Sequence, residues 1–119
     1  VDLQDLLARI KARPDYHSVG MIACHNGVVR STSRGGRRVE GLNLRVDREL
    51  LEKILTEQRR RPGIVEVLAH VVEGYRHVGE DVMLVAVAGD IREHVFPVLE
   101  ETVEQLKRLV THKEEFFLD

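Results

Sequence analysis

A chain of 119 residues, 43% apolar and 32% charged, has the makeup of one soluble globular domain, so residues 1–119 are read as a single unit with its own core. A formal net charge of −2 excludes a chain-wide polycation or polyanion. The one cysteine, Cys24, excludes an internal disulfide and any multi-cysteine zinc site, and suits a reducing compartment.

In chain order, Leu3, Leu6, Leu7 and Ile10 recur at the spacing of an amphipathic helix, which Pro14 stops. That alternation of charge and apolar side chains is unlike a signal peptide, and a cytoplasmic protein is expected. A first strand is predicted over 17–30, interrupted by Gly27 and ending at Arg30. A glycine inside a strand marks a bulge or a close approach. The loop Ser31 to Arg38 follows, rich in glycine and arginine, and Val39 to Val46 alternates as a second strand. Asp47 suits the N-cap of a helix bearing Leu50, Leu51, Ile54 and Leu55, which ends near Arg59-Arg60-Arg61 before Pro62-Gly63.

Ile64 to Val72 and Val82 to Ala88 read as buried strands, joined by the polar connection 73–81 as an antiparallel hairpin. The second of these is the longest apolar run and is too short to span a bilayer. Asp90-Ile91-Arg92-Glu93 looks like a capping box. Pro97 inside a helix would cost about 3 kcal/mol, so a short turn over 91–95 and a regular helix from Phe96 are predicted. The order α-β-β-α-β-β-α describes an α+β domain with a mostly antiparallel sheet and flanking helices.

The charge is unevenly spread. Arg30, Arg34, Arg37, Arg38, Arg45 and Arg48 face only Glu40 and Asp47 nearby, while acid gathers toward the C-terminus. Arg30 is either a solvated strand end or, with its glycine-bearing loop, an anion contact. Lys107 and Lys113 are either solvated lysines at or beyond a helix end, or a pair that activates a carbonyl, orients an anion or links to a partner. The six histidines show no metal-binding spacing, so no metal is expected, and Cys24 reads as a buried, inert thiol. With only Tyr16 near the basic loop to stack a base, nucleic acid is disfavoured as a partner.

Val19-Gly20, Gly27, Val29 and Arg30 form a pattern, V-G-x6-G-x-V-R, that resembles the first strand of the molybdopterin synthase large (catalytic) subunit, the MoaE family. The likeness runs from about Val19 to Glu115. It takes in Val39 to Leu44, Ile64 to His70, Val78-Gly79-Glu80, Val82 to Ala88, Arg92 with Phe96, Leu106-Lys107 and His112-Lys113-Glu114-Glu115. In the family pattern a histidine precedes the Arg92 position, where Ile91 stands here, and an arginine follows the His70 position, where Val71 stands. An ungapped alignment sets Glu114 rather than Lys113 at the family's second lysine.

The resemblance implies a MoaE-like (α/β-hammerhead) fold and a central homodimer with a small ubiquitin-like, MoaD-like sulfur-carrier subunit at each end, a heterotetramer. It implies conversion of cyclic pyranopterin monophosphate to molybdopterin with sulfur from the partner's C-terminal thiocarboxylate, in molybdenum cofactor biosynthesis. Lys107 and Lys113 would be catalytic, and Arg30, Arg34, Arg37, Arg38 and Arg92 would bind substrate. No resident cofactor is implied. A second reading is a catalytically silent MoaE-like dimeric module that binds the sulfur carrier, and a third is a nucleic-acid binder built on the basic loop.

Overall fold

The computed structural model describes residues 1–118. Helix α1 (Leu3–Lys11) starts at Asp2, whose carboxylate accepts the Asp5 N–H while the Asp5 carboxylate accepts the Asp2 N–H. Strand β1 (Met21–Val28) follows a 3₁₀ turn over Tyr16–Ser18, and that turn moves the strand's start four residues later than the pattern predicts. Strand β2 (Val39–Val46) and helix α2 (Arg48–Arg59) lie where predicted, with the Asp47 side chain accepting the Leu50 N–H at 3.1 Å.

Strands β3 (Ile64–Val71) and β5 (Asp81–Gly89) pair antiparallel. Their connection is not merely polar loop. Gly74–His77 forms strand β4, which leaves the hairpin to pair with β2. Helix α3 (Arg92–Gln105) passes through a π-helical turn, Leu106–Val110, directly into strand β6 (Thr111–Phe117).

Two expectations for the last third are overturned. The helix is regular from Arg92, with Pro97 inside it. Proline removes the donor that would have met the Glu93 carbonyl, and because Glu93 and Pro97 are both exposed, water can serve that carbonyl instead. Nor is there a capping box: the N-cap is Ile91, and Asp90 Oδ1 accepts the Ile91 N–H at 2.6 Å and meets His94 Nδ1 at 2.8 Å. That bond to His94 holds the Asp90 carboxyl below its ordinary range.

The strands make two antiparallel three-stranded sheets, β1-β5-β3 and β4-β2-β6, in a body 51 Å long and 24 by 23 Å across. Alternation divides the first sheet's side chains between two cores. Val67, Val85 and Val87 join Leu51, Ile54 and Leu55 of α2, Val95 and Val98 of α3, and Leu42 and Leu44 of the second sheet. On the opposite face, Leu68, Leu84, Ala86 and Ala88 meet Leu6 and Ile10 of α1. The fold is α+β with antiparallel sheets, and its two sheets come together around the exit of β1.

Candidate functional site

At that junction lies a cleft of about 860 Å³. Val28, Val29, Leu42, Leu44, Val82 and Met83 give it apolar walls, while Arg30, Arg34, Lys107 and Lys113 bring four cations to it. Thr32, Ser33, Thr111 and Glu115 add polar groups. Positive charge over an apolar bed suits a ligand that joins a flat ring to an anion.

Each cation has a structural reason for its place. Gly27 sits at a register shift between β1 and β5, and a Cβ there would stand 3.3 Å from the Met83 carbonyl oxygen, so it is both bulge and close approach. Beyond it, buried Val29 donates its N–H to Glu80 O at 3.0 Å and accepts from Gly79 N at 2.9 Å, which anchors the turn into Arg30. Arg30 Nε donates to Thr32 O at 2.9 Å. The basic loop is itself closed: Ser33 N donates to Arg37 O at 2.9 Å, Val39 N to Ser31 O at 2.8 Å, and Gly36 takes a φ of 88°.

Lys107 belongs to the π-helical turn, whose ends, Leu106 and Val110, are fully buried. The Val110 carbonyl also accepts the Asp47 N–H at 2.9 Å, tying this turn to the start of α2. Such wide turns recur at functional sites because they re-aim a side chain without breaking the helix. Lys113 follows on β6, opposite Leu44 of β2. The six-residue spacing therefore spans a helix-to-strand junction, and both lysines reach one cleft.

Arg37, Arg38 and Arg92 are not among the residues lining it. Arg37 lies over the Phe117 ring, 3.7 Å from its centroid. Arg38 bridges to Thr32, and its carbonyl accepts the Leu118 N–H at 3.1 Å. Arg92, in the first turn of α3, pairs with Glu93 at 3.7 Å and borders a separate shallow hollow with Gly20, Met21, Asp90 and Ile91.

A groove of about 580 Å³ also borders Lys107 and Arg34, and it is lined by Cys24, His25, Phe96, Leu99, Glu100, Val103 and Glu104. Cys24 is exposed rather than buried, because its side of β1 extends past the cover that α1 gives the sheet. Partial burial still pushes its thiol above the ordinary value, which disfavours the nucleophilic thiolate. His25 is held below its ordinary value, first by burial and then by the Lys107 charge. Sequence reasoning missed Thr111, Glu115 and His25 as site residues. No apolar alternation marks the first two, which stand among polar neighbours on β6.

The family model described as MoaE protein matches residues 1–109. The chain belongs to the MoaE family. Among solved structures, it is similar to the molybdopterin cofactor biosynthesis protein E of Burkholderia multivorans ATCC 17616, with a TM-score of 0.79 and 29% identity over 98% of this chain and 82% of that one. The molybdopterin biosynthesis MoaE protein of Burkholderia ambifaria MC40-6 gives a TM-score of 0.78 at 27% identity, covering 98% and 80%. A complex of subunits 1 and 2 of the molybdopterin-converting factor from Helicobacter pylori 26695 shares the fold, with a TM-score of 0.75 at 19% identity over 99% and 80%. Relative to the MoaE pattern, Val71 is a core residue, 1% exposed, and Ile91 is a half-exposed N-cap.

Proposed function

We propose that this MoaE-family chain acts in molybdopterin biosynthesis as the large subunit of a molybdopterin synthase. It takes sulfur from the C-terminal thiocarboxylate of a small MoaD-like carrier and converts cyclic pyranopterin monophosphate to molybdopterin. The observation that carries this reading is the meeting of Arg30, Arg34, Lys107 and Lys113 at one apolar-walled cleft. In this reading the arginines hold the substrate's phosphate. The lysines stabilise the negative charge on the carrier's terminal carbonyl oxygen as water adds to that carbon. The sulfur, already bonded to the substrate, departs with the substrate and leaves a carboxylate on the carrier. Arg37 and Arg38, flanking the basic loop, add positive potential that steers both anions inward.

The carrier partnership takes its form from the H. pylori structure, a complex of two subunits. A homodimer is part of the same proposal. Phe96 is 54% exposed on α3 beside Leu99 and Val103, an apolar stripe that a second copy would cover.

The test is dithiolene formation from cyclic pyranopterin monophosphate with a thiocarboxylated small subunit from the same genome. Product that disappears in the Lys107→Ala, Lys113→Ala double variant supports the synthase. The apolar burial of Val71, where the family pattern has an arginine, favours as second reading a silent carrier-binding module. Carrier binding with no product from the wild-type chain, alongside an active control enzyme, would establish that reading instead.

A further inference from the structure

His25 carries a buried ring nitrogen, Nε2, that makes no hydrogen bond among the described residues. A buried polar atom without a partner is rare and points to a role. The ring has its place because residue 27 is glycine: a Cβ there would stand 3.0 Å from Nε2. Gly27 lines the cleft and His25 lines the groove, so this imidazole lies in the wall between the two hollows. Lys107 and Arg34 are the cations that border both.

We propose that His25 is the positioning residue for Lys107, its neutral imidazole accepting a hydrogen bond at Nε2 from the Lys107 ammonium and holding that charge where groove and cleft meet. The contact is not made in the structure, where Nε2 has no partner among the described residues. Both side chains line the groove, and a turn of the exposed, flexible Lys107 stem brings its ammonium to the ring. An imidazole protonated on Nδ1 offers Nε2 as acceptor, and lysine has three protons and no acceptor of its own, so the pairing is chemically one-way. Without such a contact, an exposed lysine on a flexible stem spreads its charge over many rotamers. The charged groups that line the groove with His25 are Arg34 from the basic loop, Glu100 and Glu104 from α3, and Lys107 itself. The carboxylates stand on the helix, leaving the two cations on the cleft side to compete for Nε2. Lys107 is the better donor because Arg34 belongs to the closed loop.

Acid abolishes the contact, because a protonated ring has no lone pair to offer and repels the ammonium. This inference deepens the synthase reading, but its first test does not depend on turnover. In two-dimensional NMR of the whole chain, Lys107→Met should move the His25 titration up toward its ordinary value. Lys107→Met replaces an exposed side chain, so folding is not at issue. His25→Phe should quicken solvent exchange of the Lys107 ammonium protons, since their acceptor is gone, and His25→Gln should slow it again. A His25 titration that stays in place in Lys107→Met, or Lys107 ammonium exchange that is equal in the Phe and Gln variants, would overturn the proposal. In the dithiolene assay, His25→Phe should lower turnover about ten-fold, the size of one charge-assisted hydrogen bond. His25→Gln should keep activity and lose the acid limb of the pH profile. A His25 titration that follows Lys107, with no product from any variant, would retire the synthase reading while leaving the His25–Lys107 contact in place.

Discussion

Lys113 stands opposite Leu44 in the antiparallel register of β6 with β2, and both line the cleft. Glu114, one residue on, stands opposite Asn43 and so faces the other side of the sheet. Register thus sets Lys113, the residue proposed as the second lysine, on the cleft face and Glu114 off it, because a one-residue slip would exchange the two faces. Lys113→Ala should lower dithiolene formation on the order of 10²-fold, the usual loss for one group that stabilises developing charge. Glu114→Ala should stay within about two-fold, as for an exposed residue off the site. Equal losses in the two variants, measured as kcat/KM, would contradict this register-based assignment.

The same strand shows how far the sequence was legible. Apolar spacing placed α1, β2, α2, β3 and β5 within a few residues, because each buries a periodic face. Gly27 and Arg30 announced the bulge and the cleft edge. Strands β4 and β6 were not legible, since residues such as Tyr75, His77, Glu114 and Phe116 lie on an open sheet face where pairing, not burial, makes the strand. Onset of α3 was misjudged because proline's penalty was charged to a carbonyl that solvent can reach. His25 escaped notice because only tertiary packing leaves its Nε2 buried without a partner.

Glu66 anchors the other end of the molecule. Its carboxylate accepts from Arg13 Nη1 and Arg59 Nε, each at 2.7 Å, and from the Val67 N–H at 2.9 Å. The side chain is only 13% exposed, while both arginines are about a third open to water. Removing the carboxylate lets the arginines rehydrate, so the loss falls below that of a fully buried pair. Glu66→Ala should destabilise by about 2 kcal/mol in urea unfolding, with little effect on a cleft that it does not line. A change under about 0.5 kcal/mol would show the network to be ornamental in solution.

Two histidines make stability depend on mild acid. His70 lies below its ordinary value chiefly through burial, with the Arg48 charge adding to it, and His25 through burial and then Lys107. For both, the folded state binds protons less readily than the unfolded chain. Their neutral forms are fully favoured above about pH 6.5, and stability falls as pH drops through that value toward the depressed folded ones. The midpoint of urea unfolding should therefore be lower at about pH 5 than at about pH 7.5. His70→Gln should flatten part of that dependence. A wild-type midpoint that rises on acidification would refute the sign.

The cation-lined cleft should also be visible in stability without any partner. Arg30 spends its Nε on Thr32 O, and among the described residues its two terminal NH2 groups have no hydrogen-bond acceptor. A ligand that binds only the folded state stabilises by RT ln(1 + [L]/Kd), about 1.4 kcal/mol at ten times Kd. For a chain of this length that raises Tm by about 6 °C. Phosphate also stabilises proteins non-specifically by exclusion from their surface, so the wild-type shift alone decides nothing. The informative quantity is the difference between wild type and an Arg30→Ala, Lys113→Ala variant, each measured in inorganic phosphate and in chloride of equal ionic strength. A site at the cleft predicts that the double variant keeps only the exclusion effect. Identical phosphate shifts in the two proteins would place the anion elsewhere and remove the strongest physical support for a phosphorylated substrate.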